Sequence, residues 1–255
     1  MTSMVSHLIA EVLALEVRLY ACQARLAVST DSEALHDLRT TVRRLRSLLR
    51  PLRGIRGVDE LEDAAREVGR LTTPLRDQQV LCAQLHDNGW HALARPREAF
   101  LDDACPRVAG SPQLKRLFER LGKFPEQLRE QQRAGLVHGL RRSIEKVMDK
   151  QWRKLRDAIA DPEHDRHHLR LLIKRVRYAA EVYPDLSHQP KGMSKRLKDA
   201  QGALGDWHDH LQWLALADQH ADLAPCVALW QTCISRAESK GESALQRLTQ
   251  ACFPE

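Results

Sequence analysis

Two short stretches carry the residues whose types and spacing could do chemistry. His36–Arg50 reads HDLRTTVRRLRSLLR, and HHLRLLIKRVRY begins at His167, 131 residues later. Both follow one pattern: His, any residue, Leu-Arg, two residues, an apolar β-branched residue, Lys or Arg, Arg, an apolar residue, Arg. On a helix each residue advances about 100°, so His36, Arg39, Arg43, Arg46 and Arg50 fall within roughly 80° of arc. Leu38, Val42, Leu45 and Leu49 gather about 110° away, as a face to bury. The second copy sets out His167, Arg170, Lys174 and Arg177 beside Leu169, Ile173, Val176 and Ala180 in the same way. Arg44 and Arg175 point about 80° to the other side of the two histidines and stand outside the rows.

A row of like charges at three- and four-residue spacing repels itself, by about 0.2–0.5 kcal/mol per pair and roughly 1 kcal/mol for the first row. No acid of the first motif helix compensates it, whereas Glu181 can pair with Arg177 in the second. Either carboxylates from other helices or a ligand must do so. Arginine forks bind phosphate oxygens two at a time, and a row about 21 Å long suits a linear polyanion better than one small anion. His36 and His167, at the head of each row, could donate to phosphate and gain charge beside it.

The rest of the chain must position these rows. In 255 residues, aromatics make up 5% and charged residues 29%, with abundant strong helix formers, which predicts an all-α fold. The net charge is +6, and it is concentrated. Residues 36–56 hold seven arginines against Asp37 alone, and residues 166–178 hold five basic residues and no acid. The six cysteines have no metal-type spacing and read as small apolar residues in a reducing compartment. The first twenty residues lack a basic leader and are interrupted by His7 and Glu11, a poor secretion signal and too short a run to span a membrane. A soluble cytoplasmic protein is expected.

Apolar periodicity places a first helix from about Val5 to Ala27, with Thr30 and Glu33 forming a capping box for the first motif helix. That helix stops at Pro51–Gly54. A third helix runs from Val58 to Leu71, and Thr73-Pro74 starts a fourth that reaches Asn88-Gly89. Pro96, Pro106, Pro112 and Pro125 are expected to cut residues 90–135 into short pieces, with a restart at Ser111-Pro112. From Leu136 the plan repeats, with Asp161-Pro162 as the cap of the second motif helix, which ends before Pro184. A last helix runs from near Pro225 to Cys252. Asp77 lies 41 residues after His36, and Asp209 lies 42 after His167. The expected architecture is one domain over residues 1–255, made of two pseudo-two-fold-related helical bundles, repeat 1 about 1–135 and repeat 2 about 136–255.

The duplicated H-x-L-R-x-x-[VI]-[KR]-R-[LV]-R, with downstream LKDAQGALG (Leu197 to Gly205) and RDQQV, resembles the CHAD domain, the conserved histidine α-helical domain. The resemblance covers nearly the whole chain. It implies two pseudo-symmetric helical bundles around a basic central cavity, and binding of inorganic polyphosphate without catalysis and without a cofactor. Carried over by position, the binding residues are His36, Arg39, Arg43 and Arg46, extended by Arg50, then His167, Arg170, Lys174 and Arg177, with Lys195 and Lys198 from the later segment. Gln79 stands where the family usually has a second acid, and Asp77 and Asp209 read as structural anchors. The implied location is the cytoplasm, polyphosphate granules included, and the two rows are expected to converge on one ligand.

Competing readings are few. The E-x-E-x-K signature of the triphosphate-processing domain often joined to CHAD domains is absent, as are a Gly-rich phosphate loop, a G-x-S-x-G elbow and an H-E-x-x-H. The histidines of HDRHH (from His164) and HDH (from His208) lack a matching ligand set, so no metal is expected. RNA is the serious alternative, because a cation row alone does not separate it from polyphosphate. Only Tyr178 accompanies the cations, however, and single strands are usually held by stacking on aromatic rings. The remaining alternative is a scaffold whose rows pair with acids of its own helices.

Overall fold

The computed structural model describes residues 3–29, 31–161 and 163–253. Among them are nine α-helices, three short 3₁₀ turns and no strand. They are α1 (Met4–Ala27), α2 (Ala34–Leu49), α3 (Val58–Asp87), α4 (His91–Ala109), α5 (Pro112–Arg133), α6 (Leu140–Ala160), α7 (Arg166–Val182), α8 (Met193–Ala217) and α9 (Val227–Cys252). The all-α expectation is met. The chain divides into two compact units, Met1–Ile144 and Glu145–Glu255, with the division inside α6. Among the described residues no helix is long and apolar enough to cross a membrane.

In the first unit α1 packs on α2, α4 and α5, and α3 packs on α2, α4 and α5. The predicted stripe of α1 (Leu8, Val12, Leu15, Leu19, Leu26) is buried throughout, as is that of α2 (Leu38, Val42, Leu45, Leu49). In the second unit α8 joins α7 and α9, and Leu155 and Ala158 of α6 complete a core with Leu169, Ile173, Leu197 and Leu248. Ala180, expected in this core, is only half-buried, and its place is taken by Ala179 and Leu172.

The same succession occurs in both units: a long helix, the motif helix, a proline-bearing 3₁₀ turn (Arg50–Leu52; Pro184–Leu186), a left-handed glycine, then another long helix. Gly57 (φ 85°) and Gly192 (φ 82°) cap α3 and α8 in a conformation open to glycine at no steric cost. Leu61, Ala65, Val68 and Thr72 are buried on α3, and 132 residues on so are Met193, Leu197, Ala200 and Leu204 on α8.

Several expected breaks do not occur. Val58–Asp87 is one helix that runs through Pro74. Thr72 and Thr73 turn their hydroxyls back onto the Val68 and Gly69 carbonyls (both 2.8 Å), and Arg39 donates to the same turn from α2. The buried face continues past the proline to Leu75, Leu81 and Leu85, and its packing carries the helix across the ring. Residues 90–135 likewise form two long helices. Pro96 and Pro106 lie inside α4 and Pro125 inside α5, whose apolar face runs from Leu114 through Leu117, Leu121 and Phe124 to Leu128. Burial of that stripe outweighs local propensity. The restart at Ser111-Pro112 is as expected, with Ser111 Oγ accepting from the Leu114 amide.

The helix caps also differ from expectation. Thr30 and Pro162 lie outside the described residues. Glu33 precedes α2 without a side-chain capping bond, and its amide donates to Asp31 Oδ1 (3.0 Å). Asp161 does the same for Glu163 (3.0 Å), so it closes a turn and does not cap α7. The cap is Asp165, whose Oδ2 accepts from the His168 amide at 2.6 Å.

Candidate functional site

In the first unit the arginines of α2 lie along α3, and α3 answers with groups of its own. Arg39 Nη1 donates to the Gly69 carbonyl (3.1 Å) and to the hydroxyls of Thr72 and Thr73 (3.0 Å each). Burial lowers its pKa, with Asp77 opposing and Arg43 and Arg76 reinforcing the shift. Asp77 is therefore close enough for its charge to act on Arg39. Gln79 donates to the Ser32 carbonyl (3.1 Å) and accepts from Arg76 (3.2 Å), so the amide is put to use where an acid was expected.

Further along, one carboxylate serves three guanidinium groups. Glu62, 5% exposed, binds Arg53 at 2.5 and 2.6 Å and lies 3.9 Å from Arg50 and 4.0 Å from Arg46. Burial alone would raise Glu62, but the Arg53 hydrogen bonds and the charges of Arg53, Arg50 and Arg46 reverse this and hold it below its ordinary value. Arg46 is pushed down by burial, helped by Arg66, Arg53 and Arg70 against Glu62. Arg46, Arg50 and Arg53 thus share Glu62, Asp59 and Asp63 add their charge at Arg53, and Arg66, which pairs with Asp63 at 2.7 Å, stands with Arg70 beside Arg46. The Nε atoms of Arg39, Arg46 and Arg66 are buried with no hydrogen-bond partner among the described residues. Cross-helix acids therefore meet part of the row.

The second unit builds its row between α7 and α8. Arg170 is buried at 9% exposure. The His167 ring lies 5.0 Å from that of His208 on α8. Burial, then the charges of Arg170, His167 and Lys174, push His208 down to about 4. Arg177 donates to Gln201 Oε1 (2.8 Å), pairs with Glu181 as its spacing foretold, and lies over the Tyr178 ring at 4.4 Å. Gln201 in turn donates to the Tyr178 hydroxyl at 3.3 Å. Lys174 is half-buried on the same face of α7.

Of the expected site residues, His36, Arg39, Arg43, Arg46 and Arg50 are all half-buried along α2. Lys198 is exposed and lies about 60° around α8 from Gln201, on the side of the row. Lys195 is 84% exposed, reaches Asp199 at 3.2 Å, and lies about 120° around α8 from Gln201, so it is not brought to the row. Arg44, left outside the row, pairs with Glu11 at 3.3 Å. The sequence reading missed Glu62, Arg66 and Arg70 on α3 and Gln201 and His208 on α8. The i, i+4, i+8 spacing of Glu62, Arg66 and Arg70 was the signal that could have found the first three. Among the described residues no three His, Cys, Asp or Glu side chains gather in a way that could hold a metal ion. The six cysteines remain thiols, four of them buried.

The CHAD domain family model matches residues 11–218. The crystal structure of the CHAD domain from the plant Ricinus communis superposes with a TM-score of 0.75 at 20% identity, covering 100% of this chain and 93% of that one. No curated protein matches the chain.

Proposed function

From the premise that the chain belongs to the CHAD domain family, we propose that it binds inorganic polyphosphate along its arginine rows, as a non-catalytic binding protein. The observation that carries this reading is the gathering of arginines between α2 and α3, where Arg46, Arg50 and Arg53 converge on the buried Glu62 and Arg66 and Arg70 add their charge beside Arg46. Helices that needed only an internally paired scaffold would match these cations with acids. A linear polyanion supplies regularly spaced oxygens along the helix and suits arginine forks in single file. The second unit offers the same chemistry through Arg170, Lys174 and Arg177. Internal duplication of an ancestral bundle accounts for both rows.

RNA fits less well. Tyr178, the aromatic residue beside the cations, has one ring face under Arg177 and its hydroxyl engaged by Gln201. Base stacking, which holds most single strands, therefore has little to work with. The deciding experiment is competition at equal phosphate concentration and fixed salt, because salt dependence is common to both ligands. Polyphosphate is expected to displace labelled RNA, and RNA displacing polyphosphate would overturn the proposal. The charge-reversed pair Arg39→Glu with Arg170→Glu tests the scaffold alternative. Global unfolding of that variant would favour the scaffold, and a folded protein that no longer binds would favour the ligand.

A further inference from the structure

The first unit also contains a cleft with the opposite electrostatic character. Its volume is about 650 Å³, inside the roughly 300–1,000 Å³ range of small-molecule sites. It lies where the end of α1, the start of α2, the second half of α3 and α4 meet. Part of its lining is apolar, with Leu35, Val80 and Leu101 joined by the thiols of Cys82 and Cys105. Its carboxylates come from two separate walls. Asp31 and Glu33 belong to the α1–α2 connection, while Glu98 and Asp102 stand one turn apart on α4. The lining sets one guanidinium, Arg76, against these four acids, and Arg76 donates to Gln79.

Two of the four acids are already engaged. Arg25 grips Asp31 with 2.9 and 2.6 Å bonds, and His86 Nε2 meets Glu98 Oε1 at 2.5 Å. The carboxylates of Glu33 and Asp102, one on each wall, have neither a hydrogen bond nor an ion pair among the described residues. Burial and then Glu98 push the Cys82 thiol up to about 11, and burial and then Asp102 raise Cys105. Both thiols stay neutral at pH 7 and extend the apolar wall, and both register the negative potential of the cleft.

We propose that this cleft binds a short aliphatic diamine, with one ammonium at Glu33, the other at Asp102, and the methylene chain along Leu35, Val80 and Leu101. The acids of the two walls repel anions, the apolar part of the lining favours a hydrocarbon segment over a hydrated metal ion, and two acids on separate elements favour two charges over one. The inference stands apart from the polyphosphate reading and does not need it.

The test is calorimetric titration of the full chain, free of polyphosphate, with 1,4-diaminobutane, 1,6-diaminohexane and 1-aminohexane. Saturable one-to-one binding of a diamine is expected, at least about 10-fold tighter than 1-aminohexane. The double variant Glu33→Gln with Asp102→Asn, at two exposed positions, is expected to lose that advantage while keeping the wild-type melting temperature. Wild-type protein that binds neither diamine would overturn the proposal. So would diamine affinity unchanged in the double variant, or 1-aminohexane binding as tightly as the diamines.

Discussion

His208 lies in the row of the second unit, its ring 5.0 Å from that of His167 and its pKa held at about 4 by burial and by Arg170, His167 and Lys174. At pH 7 it is neutral. A polyanion brought to Arg170 and Lys174 reverses the local sign and returns the imidazole toward its ordinary value of about 6.5. Binding then takes up a proton wherever the free protein lacks one and the complex holds one. For a shift from about 4 to about 6.5, linkage gives affinity about 4-fold higher at pH 6 and about 30-fold higher at pH 5 than at pH 8. The free protein behaves in the opposite sense. Its folded pKa lies below the unfolded one, so the unfolded chain takes the proton first, and stability falls as pH drops from about 6.5 to about 4. The assay is fluorescence anisotropy with long-chain polyphosphate at pH 8, 6 and 5 and constant ionic strength, on wild type and His208→Gln. Long chains are chosen because their internal phosphates are ionised throughout that range. The other histidines are common to both proteins, so the difference between the two pH profiles isolates His208. Identical profiles would refute the reasoning.

Glu62→Gln strips the shared counter-charge from Arg46, Arg50 and Arg53 and is expected to lower stability by about 3 kcal/mol, toward the low end for a broken buried pair because Arg53 is 57% exposed. Urea unfolding measures the loss, and polyphosphate should restore more stability to the variant than to wild type; an unchanged midpoint would show that Glu62 is not the counter-charge. The depressed Glu62 carboxyl contributes stability above about pH 4.5 that disappears as pH falls through its folded value, so the acid limb of the wild-type stability curve should be shallower in the variant. Arg39→Leu removes three hydrogen bonds to α3 and should cost about 1–3 kcal/mol in the same unfolding assay. Arg70→Gln, at an exposed position of α3, should leave the midpoint within about 0.5 kcal/mol while weakening polyphosphate binding several-fold.

The parts of this structure legible in the sequence are those governed by one helix at a time. Three-and-four spacing placed Leu38, Val42, Leu45 and Leu49 in the core and Arg39 through Arg50 beside it. Prolines misled because a local rule met tertiary packing. Pro74 sits between the buried Thr72 and Leu75 of α3, and Pro106 between the buried Ala104 and Val108 of α4, so a packed face carries each helix across the ring. Asp161 and Asp165 are equally good caps on paper, and the turn that Asp161 closes with Glu163 leaves the helix start to Asp165. Glu62, Gln201 and His208 were missed for a different reason. Each acts on a residue of another helix; spacing within α3 could flag Glu62 as part of a charged face, but no spacing records which side chains a second helix will present.

Glu62 gives the first row a direction. Near the N-terminal end of α2, Arg39 is met by a carbonyl and hydroxyls, whereas at the C-terminal end Arg46 and Arg50 already face a fixed negative group. A phosphate chain threading along α2 from its N-terminus would pass from arginines held by neutral groups to arginines already gathered on a buried carboxylate, so the positions of the cations are fixed most firmly at that end. The α8 position 132 residues on from Glu62 is Ser194, which carries no charge. The second row has no such carboxylate at that place, and the two tracks would differ in how firmly the cations at that end are pinned.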